Sequence, residues 1–298
     1  VPPLPILTLV LKHDSGADAA TFRLDLDPAR PSELVILKTI SGGHYYEPDI
    51  TSLMLRAIQP GDTVLDIGAN IGVFTLLASR LAGTTGRVVA FEPAPEVLQR
   101  LTANLARNDS GNVMVVEQPV SDRIEDTVLY LNSDNEGGHS LWDPGQFPFN
   151  NKSRMAPRPM AIRTTTIDAE IARLNLRPPK VIKIDTEGAE HRVLAGAAGL
   201  LKGFKAPYIV AELHEFGLGQ MGSSPADLRA FMASLGYETF LLSWDGSLPK
   251  LVPQGTTIVS SHFVNVLFST IEAVGALWPS EYVVSPLEPP TPSKSQSS

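Results

Sequence analysis

Three short runs of the chain each close on a carboxylate. TVLDIGANIGVFTLLAS places Asp66 directly before a turn shaped by Gly68 and Gly72, with Asn70 between them. VVAFEPAPEVLQRL places Glu92 20 residues beyond Gly72 and follows it with Pro93, a residue suited to the first turn of a helix. VMVVEQPVSD ends near Ser121 and Asp122. Glycine at 68 and 72 lets the backbone approach a ligand closely and reach turn dihedrals that other residues avoid. The spacing is G-x-x-x-G, whereas a nicotinamide fingerprint is G-x-G-x-x-G with its turn built for a pyrophosphate. A carboxylate before the turn repels that anion and attracts an amino group or a sulfonium, the charges carried by S-adenosylmethionine. Glu92 can accept both hydroxyls of a ribose, and Asp122 an adenine amino group. Each acid also has a plain structural explanation: Asp66 as a helix cap, Glu92 as an acid at a helix N-terminus, Asp122 as a surface residue. Their recurrence at three successive strand ends, beside a glycine turn, favours the nucleoside.

A second group lies in KIDTEGAE and IVAELHE. In a strand, Lys183 and Asp185 share one face and Ile182 and Ile184 the other. A lysine buried there needs an anionic partner, and Glu212 in the next strand is the expected one, in a structural ion pair. Asp185 closes its strand facing the expected position of the methyl group. Glu187 and Glu190 begin a helix, where the dipole alone accounts for them, although Glu187 has an equal claim to touch ligand. His214 has the chemistry to take a proton from a hydroxyl near neutral pH, against the bland alternative of a surface histidine after a strand. Methyl transfer from a sulfonium needs alignment of the acceptor and removal of its proton. Asp185, Glu187, Glu212 and His214 are therefore the candidate catalytic residues. Asp185, Glu212 and His214 also offer an oxygen-rich site for magnesium or calcium, but no D-x-D or H-x-x-x-H spacing supports it and a resident metal is not expected. His44 and His139 lie in glycine-rich loops placed to fold over the site. His13, His191 and His262 have no special context.

These residues need a scaffold that brings strand ends together. Thr63–Asp66, Val88–Phe91, Val113–Val116, Val181–Asp185 and Tyr208–Leu213 are short apolar or β-branched runs. Helical stretches at Val73–Leu81, Ala94–Asn108, Ala189–Leu201 and Pro225–Leu235 separate or follow them. Apolar strands alternating with helices predict a parallel sheet covered on both faces. Late strands near Tyr237–Leu242 and Phe263–Phe268 predict an antiparallel pair at one edge. The expectation is an α/β, doubly wound, mostly parallel seven-stranded Rossmann-like sheet, with ligand beyond the strand ends where strand order reverses. The loop 132–159 is rich in glycine, asparagine and proline yet carries Trp142, Phe147 and Phe149, which predicts a functional lid. Residues 1–48 read as a strand-bearing lead-in, 49–284 as the catalytic domain, and 285–298 as a disordered tail.

DIGANIGVFTLLA, then AFEPAP, then KIDTEGAEHRVLAGAAGLL resemble the FkbM-type methyltransferase family from about Gly61 to His214, and the lead-in YEPDIT, which contains Glu47, resembles that family too. The resemblance implies a class I methyltransferase fold, S-adenosylmethionine as donor, and methylation of an oxygen on a sugar, polyketide or related natural product. It carries Asp66, Gly68, Asn70, Gly72 and Glu92 over as donor-site positions, with Glu47, Pro93, Ser121 and Asp122 beside them.

Composition narrows the remaining classes. The chain has 298 residues and no cysteine, which excludes disulfides, thiolate zinc, iron–sulfur clusters and radical chemistry on S-adenosylmethionine. A net charge of −8 gives no basic field for a nucleic-acid backbone and suits a neutral or cationic small acceptor better than an anionic polymer. No apolar run is long enough to span a membrane and no basic leader is seen, so cytoplasm is the expected compartment. The competing readings are a nicotinamide-dependent dehydrogenase, disfavoured by the missing third glycine, and a non-catalytic domain that keeps the fold.

Overall fold

The structure is a computed structural model that describes residues 5–12, 16–203, 205–258 and 263–279. The chain opens with a hairpin of β1 (Ile6–Lys12) and β2 (Asp18–Asp25), then α1 (Pro31–Ser41) and α2 (Pro48–Ala57). The alternation then runs β3 (Thr63–Ile67), α3 (Val73–Ala82), β4 (Arg87–Phe91), α4 (Pro95–Arg107) and β5 (Val113–Val116). β6 (Asp126–Tyr130), α5 (Asn151–Met155) and β7 (Pro159–Arg163) form an excursion, followed by α6 (Ile167–Arg173) and β8 (Val181–Ile184). α7 (Glu190–Ala195), α8 (Ala198–Leu201), β9 (Tyr208–Leu213), α9 (Glu215–Gln220) and α10 (Pro225–Ser234) come next. β10 (Glu238–Leu241), β11 (Lys250–Leu251), β12 (Val264–Ser269) and α11 (Ile271–Leu277) finish the described chain.

The main sheet has the order β11-β10-β12-β9-β8-β3-β4-β5. Strands β9, β8, β3, β4 and β5 are parallel, and β12 runs antiparallel between β9 and β10, so β10 and β12 form the antiparallel pair that the sequence predicts near one edge. An eighth strand, the two-residue β11, joins the expected seven by pairing with Phe240 and Leu241. β3 and β8 are buried along their whole length because helices cover both sheet faces. One apolar layer packs Leu53, Met54, Leu76 and Leu77 on one face, and the other packs Val193, Leu194, Leu228 and Met232 on the opposite face. Strand order reverses between β3 and β8, so the crevice beyond their carboxyl ends is the ligand position of a doubly wound sheet.

Three departures from the sequence reading have local causes. The single helix expected over Ala189–Leu201 is broken at Gly196, where a Cβ would overlap the carbonyl oxygen of Ser121. Asp168 then accepts from the N–H groups of Gly199 (2.7 Å) and Leu200 (2.8 Å), satisfying the start of α8. The loop 132–159 grows out of the β6–β7 hairpin and contains a 3₁₀ turn and α5, so it is a built flap with internal structure. The lead-in packs onto the sheet's helices, with Phe22, Leu24 and Leu26 continuous with the core and Arg100 on α4 bridging to Glu33 at 2.6 Å. The tail 285–298, together with His13 and His262, lies outside the described residues. Among the described residues no helix is long and apolar enough to cross a membrane.

Candidate active site

The glycine turn is shaped by contact with the neighbouring strand end. Gly68 and Gly72 have φ of 79° and 94°, and Asn70 between them has φ of 50°. A Cβ on Gly68 would overlap the carbonyl oxygen of Asp185, so only glycine lets the ends of β3 and β8 meet this closely. Glu92, 6% exposed, reaches across from the end of β4. Its two oxygens accept from the N–H groups of Asn70 (3.0 Å) and Ala94 (2.9 Å), which ties the first turn to the second. Each oxygen keeps a lone pair for a ligand hydroxyl. Burial outweighs those two bonds and pushes the Glu92 carboxyl up to about 7.

Gly68, Asn70, Glu92 and Pro93 line one crevice. Its other walls are Pro119, Val120, Leu129, Asp185 and Thr186, with the flap residues Glu136 to Leu141 as a roof. An adjoining crevice shares Gly68, Asn70 and Asp185 and adds Tyr46, Glu47 and Lys183. Glu47 sits at the start of α2 with φ of 40°, and burial pushes its carboxyl up to about 7 against the pull of Lys183. The two crevices meet at Gly68, Asn70 and Asp185.

Four of the expected donor-site residues stand apart from those crevices. Asp66 is 1% exposed beneath the turn, where it accepts from the Thr75 hydroxyl at 2.5 Å and faces Lys183 Nζ at 3.9 Å. Gly72 faces Leu101 of α4, where a Cβ would stand 2.6 Å from Leu101 Cδ1. Both therefore support the turn from below. Ser121 donates to Asp122 at 3.0 Å, Asp122 pairs with Arg123 at 2.9 Å, and Asp122 lines a separate depression with His191 and Ser223. The reason is backbone pairing: Ser121 N–H donates to Thr165 at 2.8 Å, which carries the chain after β5 away from the crevice and leaves Pro119 and Val120 to face it.

Lys183 takes a different partner from the expected Glu212. The register sets Lys183 beside Asp66 in β3 and Val210 in β9, so Glu212 falls two positions beyond it. Lys183 Nζ instead lies 3.1 Å from Asp185 and 5.3 Å from the Phe74 ring. Although burial opposes it, the surrounding carboxylates, Asp185 first, hold the ammonium well above the usual lysine range.

Beyond Asp185 the chain turns sharply. Glu190, fully buried, accepts at 3.0 Å from Thr186 N–H, Thr186 Oγ1 and Gly188 N–H with one oxygen. That clamp sets Glu187 at φ of 57° and aims it at His214, whose Nδ1 lies 3.3 Å from Glu187 Oε2. Glu190 is thus the anchor of the loop, a role that its helix position alone conceals. Oxygens of Asp185, Glu187 and Glu212 lie within 4.8 Å of one another, a set able to hold a hard divalent cation. Burial first, then the neighbouring acids, raise the carboxyls of Glu187 and Glu212. His214 packs among the rings of Phe263 (4.7 Å), Phe147 (5.7 Å) and Trp142 (6.2 Å). Trp142 Nε1 also donates to the Glu187 carbonyl at 2.6 Å, so the flap walls the acidic cluster. All four expected catalytic residues are therefore gathered at the mouths of β8 and β9, with Asp185 common to the cluster and both crevices. Of the histidines, His139 lines the crevice that contains Glu92, His44 is exposed, and His191 bonds Ser223 at 2.6 Å. The sequence assigns no individual role to the flap residues Glu136, Ser140 and Leu141 or to Tyr46, although the first three fall in the expected lid 132–159 and Tyr46 opens YEPDIT.

A doubly wound sheet with a glycine turn at its switch point, an acid at the next strand end and an antiparallel edge defines a class I, S-adenosylmethionine-dependent methyltransferase fold. The chain belongs to the methyltransferase FkbM domain family, whose model matches residues 66–239. It is 26% identical to hexuronic acid methyltransferase AglP of Haloferax volcanii over 65% of this chain and 70% of that protein. It is 31% identical to 31-O-demethyl-FK506 methyltransferase FkbM of Streptomyces tacrolimicus over 58% of this chain and 72% of that one. Among solved structures, a methyltransferase FkbM from Methylobacillus flagellatus is 16% identical with a TM-score of 0.44, covering 80% of this chain and 59% of that chain.

Proposed function

We propose that this chain transfers the methyl group of S-adenosylmethionine to a hydroxyl oxygen of a small organic acceptor, a sugar or polyketide derivative. The observation that carries the reading is the position of Asp185, which lines both donor crevices and belongs to the Glu187–Glu212–His214 cluster. Glu92 and the glycine turn hold the nucleoside, and Glu47 receives the ammonium of the amino-acid end. The donor supplies an activated methyl, so the chain's own groups align the acceptor and take its proton. His214 lies with Nδ1 3.3 Å from Glu187 Oε2, and its Nε2 is the proton acceptor. The aromatic wall of Trp142, Phe147 and Phe263 offers apolar faces on which an acceptor ring can rest. Acceptor classes follow the relatives, one named for a hexuronic acid and one for an O-demethylated FK506. Nucleic acid and membrane are not proposed as partners, given the net charge of −8.

The experiment is a thermal-shift series with S-adenosylhomocysteine and with nicotinamide dinucleotides, followed by transfer of labelled methyl to a panel of sugar and macrolide hydroxyls. Stabilisation by S-adenosylhomocysteine alone, by about 2.7 kcal/mol at a hundredfold excess over Kd, is expected. Stabilisation by a nicotinamide dinucleotide alone overturns the reading. A metal-assisted variant of the same reaction is favoured by one observation, the three converging carboxylates of Asp185, Glu187 and Glu212. A cation there would orient two neighbouring hydroxyls of the acceptor.

A further inference from the structure

The flap is organised around Asn132. Its side-chain oxygen accepts from the N–H groups of Asp134 (2.9 Å) and Asn135 (3.2 Å) and from Ser153 Oγ (3.0 Å). Its own N–H donates to His139 Nδ1 at 2.9 Å. Asn135 in turn accepts from Gly137 N–H (3.1 Å) and Gly138 N–H (3.0 Å). The segment 132–139 is therefore a closed knot whose tip is Glu136–Gly137. The tip stands over the glycine turn, since a Cβ on Gly137 would lie 3.5 Å from Asn70 Nδ2. Glu136 and His139 both line the crevice that contains Glu92. With Nδ1 accepting, His139 carries its proton on Nε2, and burial holds the ring neutral by lowering its pKa to about 4.

Glu136 Oε2 is buried and has no hydrogen-bond partner among the described residues. Leaving such an oxygen unmatched is costly, and the knot holds the backbone on either side of it over the crevice. We propose that Glu136 is a binding residue for the methyl donor, its carboxylate accepting a hydrogen bond from the ribose hydroxyls on the side opposite Glu92. The proposal rests on the S-adenosylmethionine reading above. Its placement selects the nucleoside over the amino-acid end. Glu136 lines the crevice walled by Glu92, Pro93 and Pro119, whereas Tyr46, Glu47 and Lys183 wall the adjoining one, which it does not line. Hydroxyls suit this position because they donate to both carboxylates while needing no compensating charge.

The test is titration calorimetry of the full chain and of Glu136→Ala with two probes, S-adenosylhomocysteine and 5′-methylthioadenosine, which lacks the amino acid. The expected result is a loss of affinity of about 10- to 100-fold for both probes, with the ligand-free melting temperature unchanged. Unchanged affinity for both, or a loss confined to S-adenosylhomocysteine, overturns the proposal. If Glu136→Ala lowers the ligand-free melting temperature, Glu136→Gln decides: it keeps the shape of the side chain, and a smaller, equal loss for both probes supports contact while no loss refutes it. A parent protein that binds neither probe overturns the donor reading and this one together. Normal binding by the parent with an unaffected variant overturns only this one.

Discussion

Lys183 Nζ lies 3.1 Å from Asp185 Oδ2, two positions further along the chain, where β8 gives way to the loop beside the two crevices. The same ammonium faces Asp66 at 3.9 Å beneath the glycine turn. One buried cation therefore fixes both the floor of the turn and the residue at the mouth of the next strand.

Replacing that cation should unfold the site before it touches chemistry. Lys183→Met is expected to cost about 3–5 kcal/mol, because Asp66 then remains buried without its counter-charge. The parent lysine is held above its usual pKa, so its contribution is complete below about pH 10.4 and is lost as pH rises through the folded value. In the variant the deficit should shrink on acidification as Asp66, already raised by burial, takes up a proton. Urea unfolding at several pH values checks both statements, and a pH-independent deficit refutes them.

Donor affinity should follow the ionisation of Glu92. Burial pushes that carboxyl up to about 7, so the ligand-free protein gains stability from it below about pH 4.3 and loses that gain as pH rises through about 7. Ribose hydroxyls bind the ionised form better, so affinity for S-adenosylhomocysteine should rise with pH up to about 7 and level off above it, with proton release near neutrality. Glu92→Gln is expected to weaken binding by about 1.5–3 kcal/mol at pH 8 and to flatten the profile. Calorimetry in buffers of different ionisation enthalpy measures both; a sloped profile in the variant assigns the titration to another group such as Glu47.

His214→Ala should lower kcat by about 10²–10⁴-fold while donor affinity stays within a factor of two. Glu187→Gln should act in the same direction through loss of the 3.3 Å contact that orients the ring. A chelator should leave the parent rate unchanged if His214 is the proton acceptor. Inhibition by chelator that magnesium reverses would transfer the role to a cation held by Asp185, Glu187 and Glu212.

Hydrogen exchange should divide the flap into two parts. Amides of Asp134, Asn135, Gly137 and Gly138, all donors within the knot, are expected to exchange slowly even without ligand. Phe149, 80% exposed, and Met155, 86% exposed, mark the outer stretch that should exchange fast and slow down only with acceptor bound. Uniformly fast exchange across 132–159 would show that the knot does not persist in solution.

The sheet, its direction and the place of the glycine turn were legible in the sequence because buried parallel strands leave short, mostly apolar runs such as TVLDI and VIKI, each ending on a turn. That Glu92, Gly68, Asn70, Asp185, Glu187 and His214 gather at one end of the sheet was legible for the same reason: strand ends converge at a switch point whatever the details of packing. What the sequence left open depends on register and on long-range approach. Whether Lys183 meets Glu212 or Asp185 is decided by a two-residue offset between β8 and β9, which no local pattern encodes. Asp122 leaves the crevice because Ser121 pairs with Thr165, 44 positions away, and Gly196 breaks a helix because Ser121 passes against it. Glu136 and Trp142 reach the site only through the β6–β7 hairpin and the knot at Asn132. Local spacing therefore determined which strand ends carry chemistry, and contacts between distant segments decided which side chains face it.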